Sequence, residues 1–278
     1  MHRHRTHLGA GRAAAGMSDR RPDDRWPSVA CTVVDRAGDE HVDHNGFVVA
    51  LAARAARRSG STVPPAWFEH VESCRHPGGG FGFWPLGRAP AWAPDLPTDA
   101  DDTAVALLEL VRAGRTTRDA ARWTACRTIA SHRLARPPDP GPPWLCRGTF
   151  TTWHRPGAAT DLVDLTALVN VLAVLADLGL LHLPGVDASL ATIGRAAAWA
   201  GHDPDRWRSV SPFYPEPDEL ALAVDNAEEC GVPGLGHLAS RLRRVAPRET
   251  GGRYAVCSAP YGPPVWFSET LRDLRRTG

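Results

Sequence analysis

Three aspartates stand within four residues at Asp99-Ala100-Asp101-Asp102, followed by Thr103 and Ala104. The run opens an apolar stretch, Asp99–Ala113, so its carboxyls belong to the first turn of a helix. Carboxyls packed that closely repel, and they cannot all ionise freely; at least one is expected to keep its proton. The positive end of the helix offsets the charge of the others. A neutral acid beside ionised neighbours is a proton donor, and aromatic side chains close by stabilise a cation. That combination suits protonation of an alkene or an epoxide. Acids are also common in any first helical turn, and Thr98 with Asp101 has capping-box spacing, so the run alone is equally a helix cap.

Helices are the elements that must position these acids. The apolar periodicity predicts helices over Asp43–Arg58, Pro64–Cys74, Asp99–Ala113, Thr117–His132, Asp161–Leu178, Val186–Ala200, Glu216–Cys230, Pro233–Arg244 and Pro263–Arg275. Prolines near several starts and glycines past several ends fit the usual asymmetry of helix termini. The one strand-like run is Val29–Val34. Asp99–Ala113 and Asp161–Leu178 are apolar nearly all round, whereas Thr117–His132 is amphipathic. A helix apolar on every side is buried, and an amphipathic one covers it from outside. Alternation of the two kinds predicts an all-α fold, a single (α/α) toroid or barrel of inner and outer helices. Proline- and glycine-rich loops before the inner helices carry the aromatics: Phe81, Phe83, Trp84 and Trp92, then Phe150 and Trp153, then Phe213 and Tyr214, then Tyr261 and Trp266. These ten are the expected lining of a shared aromatic cavity, although rings are also ordinary core material.

Asp99–Ala104 (DADDTA) resembles the DxDDTA motif of class II terpene cyclases, the superfamily of squalene–hopene cyclases and class II diterpene cyclases. Gly78–Trp84 (GGGFGFW) is similar to the Gly-aromatic end of the repeat shared by these cyclases and protein prenyltransferases, with Gly78 where the usual glutamine stands. Asp164–Leu172 (DLTALVNVL) resembles the D-x-V-x-N-A-N-V-L pattern of short bacterial members; Asn170 is kept and Leu168 replaces the first asparagine. Phe213–Leu220 and Tyr261–Leu271 also look like family segments. The resemblance implies an α/α toroid in which Asp101 is the proton donor. Asp99 and Asp102 are then its flanking acids, and Asn170 is its hydrogen-bond partner, with His154 and His132 as alternatives. It further implies an isoprenoid or meroterpenoid substrate, contact with a membrane surface to collect it, and no cofactor. Magnesium would enter only with a diphosphate substrate. Most members bind substrate between two helical domains and this chain has room for one. The alternative is therefore a non-catalytic toroid that binds an isoprenoid or a pathway partner.

Composition narrows the remaining classes. The 278 residues hold 32 basic and 31 acidic side chains, a formal charge of +1, which leaves no electrostatic footprint for nucleic acid. Every basic residue is Arg, and Lys and Gln are both missing. Met1–Gly16 is basic without an apolar run, unlike a secretory signal, and is read as an upstream or disordered extension of a domain over 17–278. Six cysteines without a CxxC pair are expected to be reduced thiols in a cytoplasmic protein. Paired acids of a metal-dependent terpene synthase, a zinc trio, GxSxG and a P-loop are not found. A glycosidase-like barrel with paired carboxylates stays as a further enzyme reading.

Overall fold

Each of three helices that carry the site begins at a side chain that caps it. Asn45 accepts the Val48 N–H at 2.8 Å and opens α1 (Gly46–Arg58). Asp99 accepts the Asp102 N–H at 2.7 Å and opens α3 (Ala100–Arg112). Asp164 accepts the Ala167 N–H at 3.0 Å and opens α5 (Leu165–Asp177). Such caps satisfy amide groups that the helix itself leaves without a partner. At the far ends of α3 and α5, Gly114 and Gly179 take φ of 66° and 71°, a left-handed turn that costs a glycine nothing.

These assignments come from a computed structural model that describes residues 29–93, 96–154, 162–245 and 252–277. The expected extension 1–16 lies outside the described residues. In chain order the other elements are β1 (Cys31–Val34), β2 (Glu40–Asp43), α2 (Pro65–Ser73), α4 (Arg118–Thr128), α6 (Val186–Ala200), α7 (Pro204–Ser209), α8 (Pro217–Glu229), α9 (Leu238–Val245), β3 (Ala255–Ala259), β4 (Gly262–Phe267) and α10 (Glu269–Arg276).

Packing follows apolar content. All residues of α1 from Gly46 to Ala56, of α3 from Ala100 to Leu110 and of α5 from Leu165 to Leu175 are buried. α3 packs on α1 and α5, and α5 packs on α8. The amphipathic helices lie outside this layer: α2 on α1, α4 on α3, α6 on α5 and α9 on α8. Burying one leucine such as Leu107 or Leu172 contributes roughly 1.5–3 kcal/mol, so the helical layer carries most of the core.

The fold is not the all-α toroid expected from the sequence. A four-stranded antiparallel sheet of order β2-β1-β4-β3 joins the two ends of the described chain. The helix expected over Pro263–Arg275 is strand β4 followed by the shorter α10, and Asp43 belongs to β2 rather than to α1. The physical reason lies at Pro263-Pro264, which read as a helix start. β1 pairs only with Val265–Phe267, and the β3–β4 ladder shifts register between Ser258 and Ala259. The prolines thus sit where no ladder N–H is required, the one place a central strand tolerates them. Three further boundaries differ: the expected Thr117–His132 helix ends at Thr128, that over Pro233–Arg244 starts at Leu238, and that over Asp161–Leu178 starts at Leu165, with Asp161 outside the described residues.

Candidate active site

The loops ahead of the buried helices are tied to one another, and this brings their side chains together. Ala100 N–H donates to Thr152 O at 2.7 Å, which lays Trp153 alongside Asp99. Phe213 N–H donates to the second oxygen of the Asp164 cap at 2.9 Å, and Ser258 N–H donates to Phe213 O at 2.8 Å. Gly46 N–H donates to Phe83 O at 2.8 Å. The starts of α1, α3 and α5, the loop before α8, and the β3–β4 hairpin therefore share one end of the molecule.

At that end a cavity of about 190 Å³ is lined by Asp99, Asp101, Asp102, Phe47, Phe83, Leu96, Trp153, Phe213, Tyr214 and Trp266, with the hairpin residues Cys257–Pro260. Its rings meet edge to face: Phe83 with Trp266 at 5.0 Å and Trp153 with Phe213 at 5.6 Å between centroids. The volume lies below the roughly 300–1,000 Å³ usual for ligand pockets, so it admits the end of a chain molecule rather than its whole length.

Asp101 is buried at the floor. Asn170 Nδ2 donates to its Oδ1 at 2.8 Å, and the Tyr214 hydroxyl donates to its Oδ2. Behind Asn170, Arg54 Nη1 donates to Asn170 Oδ1 at 3.2 Å and Arg54 Nε to Glu109 Oε1 at 2.9 Å. Burial pushes the Asp101 carboxyl up to about 6, against the hydrogen bonds from Tyr214 and Asn170 and the charge of Arg54. Asp99, partly buried, stands well above the carboxylate range through loss of solvation and the neighbouring Asp101 charge, although amide hydrogen bonds oppose the rise. Asp102 is raised well above that range by burial and by both neighbouring acids. Among the described residues nothing donates to its carboxyl. Asp164, buried behind them, is pushed up to about 7 by its burial. Raised carboxyls keep their protons to higher pH than free ones do, Asp101 up to about pH 6 and Asp164 up to about pH 7.

Of the aromatics expected to line the cavity, Phe83, Trp153, Phe213, Tyr214 and Trp266 do so. Trp84 and Trp92 stand one layer behind, against Trp266. Trp84 and Trp266 both point their indole N–H at the buried Asp43, each at 2.8 Å. Phe81 is core, under the Arg75 guanidinium and bonded through its N–H to Thr103 Oγ1. Phe150 lies outside the cavity lining, packed against Gly185, and Tyr261 is exposed on the hairpin turn. His132 and His154 face each other at 4.8 Å between ring centroids, and neither is bonded to Asp101; burial drives His154 down to about 3. Phe47, Asp43 and Arg54 were not singled out from the sequence. The signal that could have found Arg54 is its place as a lone charge inside the apolar run Phe47–Ala56, since buried arginines are kept only with partners.

Among the described residues no three His, Cys, Asp or Glu side chains converge to hold a metal ion. All six cysteines are unbridged, and no described helix is long and apolar enough to cross a membrane. Neither the models of known protein families nor the curated proteins include a match to this chain.

Proposed function

We propose that this protein is an acid catalyst of isoprenoid cyclisation, acting in the manner of a class II terpene cyclase. The observation that carries the reading is the floor of the aromatic cavity, where a buried carboxyl, Asp101, is held from behind by Asn170 and Tyr214. The protonated Asp101 gives its proton to the terminal alkene or epoxide of an isoprenoid whose reacting end enters the cavity. The Tyr214 hydroxyl donates to Asp101 Oδ2 in both of its forms, which leaves the acid's one proton free for the substrate. Asn170 donates throughout. Both hydrogen bonds strengthen as negative charge grows on Asp101, so they favour the transition state over the resting acid. Asp99 and Asp102, raised by burial, stay neutral enough not to trap the proton as a charged cluster.

The cation formed on the substrate lies among Phe47, Phe83, Trp153, Phe213 and Trp266, whose ring faces attract it. The same walls keep out water that would capture it. Transfer of a proton from the cyclised cation to water ends the reaction, Asp101 takes a proton back from solvent once the product leaves, and no step calls for a redox cofactor. Membrane contact and a cytoplasmic setting belong to this reading as the place where a lipophilic substrate is met.

The test is incubation of the purified protein with prenyl diphosphates, squalene-like olefins and meroterpenoid precursors, followed by product analysis. The wild type is expected to release a cyclised product, and Asp101→Asn to lose at least about 100-fold in rate, the usual contribution of a general acid. Binding of these ligands without turnover in the wild type would replace the enzyme with a non-catalytic isoprenoid carrier.

A further inference from the structure

A second cavity, of about 670 Å³, lies on the other side of Asn170 and Tyr214 from the acids, between α1, α5, α8 and α10. Its charged lining is mostly self-contained. Arg58 pairs with Glu229 at 2.7 Å, Arg243 with Asp225 at 2.5 Å, and Arg275 with Glu219. Arg54 and Arg57 differ. They share the single buried carboxylate Glu109, at 2.9 and 3.5 Å, and Arg112 draws on that same carboxylate at 2.9 Å. Three guanidiniums on one carboxylate leave an excess of positive charge. Arg54 is only 7% exposed, and its Nη2 has no hydrogen-bond partner among the described residues. That donor is itself closed to solvent; a buried cationic donor without a partner is costly and calls for an explanation, in the fold or in a ligand that the neighbouring cavity takes.

We propose that this cavity is a second binding site, for an organic anion carrying a phosphate group, with Arg54 and Arg57 as its ligands. Guanidinium forks match oxyanions with several oxygens, and Leu51, Leu222 and Leu274 offer apolar wall for an organic body. The site adjoins the acid cavity at Tyr214, which lines both, but does not depend on the cyclase reading.

Phenyl phosphate, inorganic phosphate and benzoate serve as probes in calorimetric titrations of the full chain at low ionic strength. Phenyl phosphate is expected to bind saturably, more tightly than inorganic phosphate or benzoate. Arg54→Met and Arg57→Gln should each weaken it about tenfold or more, the worth of one charge-assisted hydrogen bond. Asp101→Asn should retain the binding, so loss of turnover and loss of this site are told apart. Arg57 is 38% exposed at its side chain, so Arg57→Gln decides the matter if Arg54→Met does not fold. No saturable binding, binding indifferent to the arginine variants, or benzoate bound as tightly as phenyl phosphate each overturns the proposal.

Discussion

Burial raises the Asp101 carboxyl while Tyr214, Asn170 and Arg54 lower it, and the balance stands at about 6. A general acid works in its protonated form, so turnover is expected to be level below pH 6 and to fall about tenfold per unit above it. The two neutral donors stabilise the ionised form. Removing one therefore raises the carboxyl further and moves the falling limb to higher pH. For Tyr214→Phe the expected displacement is about one to two units, the value of a hydrogen bond to a charged group. The plateau rate should drop as well, since the same bond steadies the carboxylate that forms in the transition state. A pH–rate profile reads both effects, and a limb that stays in place would mean that Tyr214 does not act through Asp101.

At the scale of elements, the site depends on close packing of α1 against the end of α2. A Cβ built on Gly46 would meet Cys74 Sγ at 2.3 Å, while the Gly46 N–H holds Phe83, a wall of the acid cavity. Gly46→Ala is expected to cost roughly 1–3 kcal/mol by overpacking, measured as a lower urea midpoint. Adding Cys74→Ala should restore part of that loss, because the two sites couple through one contact. What the sequence revealed of these elements follows from how local their signals are. Asp99 announces α3 because a cap and an apolar run lie within one segment, whereas the expected start of α5 at Asp161 falls ahead of its cap, Asp164. Strands β3 and β4 were hidden because Pro263-Pro264 imitates a helix start, and only pairing with the distant β1 shows what they are. The placing of Tyr214 on Asp101 was hidden too, since 113 residues separate them. Aromatic content marked the cavity loops but could not sort lining rings from supporting ones. Asp43 holds one of each kind, Trp266 of the lining and Trp84 behind it, through their indole N–H groups.

Across the whole molecule, the sheet joins the two described ends, and charge fastens α10 at the C-terminal one. Arg275 on α10 binds Glu219 on α8 and the Tyr254 hydroxyl ahead of β3, all largely buried. Arg275→Met would strand the Glu219 carboxylate, with an expected loss of about 3–5 kcal/mol in chemical denaturation; Glu219→Met in the same chain should recover much of it. The acids at the other end of the core act in the opposite sense. Asp99, Asp101, Asp102 and Asp164 are all raised in the folded state, so folding retains protons that the unfolded chain releases. Their contribution to stability is full below the ordinary carboxylate range, near pH 4. It declines as pH rises towards the folded values, about 6 for Asp101 and about 7 for Asp164. For Asp101 alone the loss is about 3 kcal/mol. Ion-paired carboxylates elsewhere have their own pH dependence, so the cleanest measure is a difference. Asp102 accepts no hydrogen bond among the described residues, and Asp102→Asn removes its titration without removing a cap. The variant should therefore be more stable than the wild type at pH 7. Its advantage should grow between pH 5 and 7 by up to about 1.4 kcal/mol per unit, the limit for one proton. Urea titrations at several pH values give that slope directly. A constant difference would mean that Asp102 ionises as it does in water, and that the acid cluster is wetter than its burial implies.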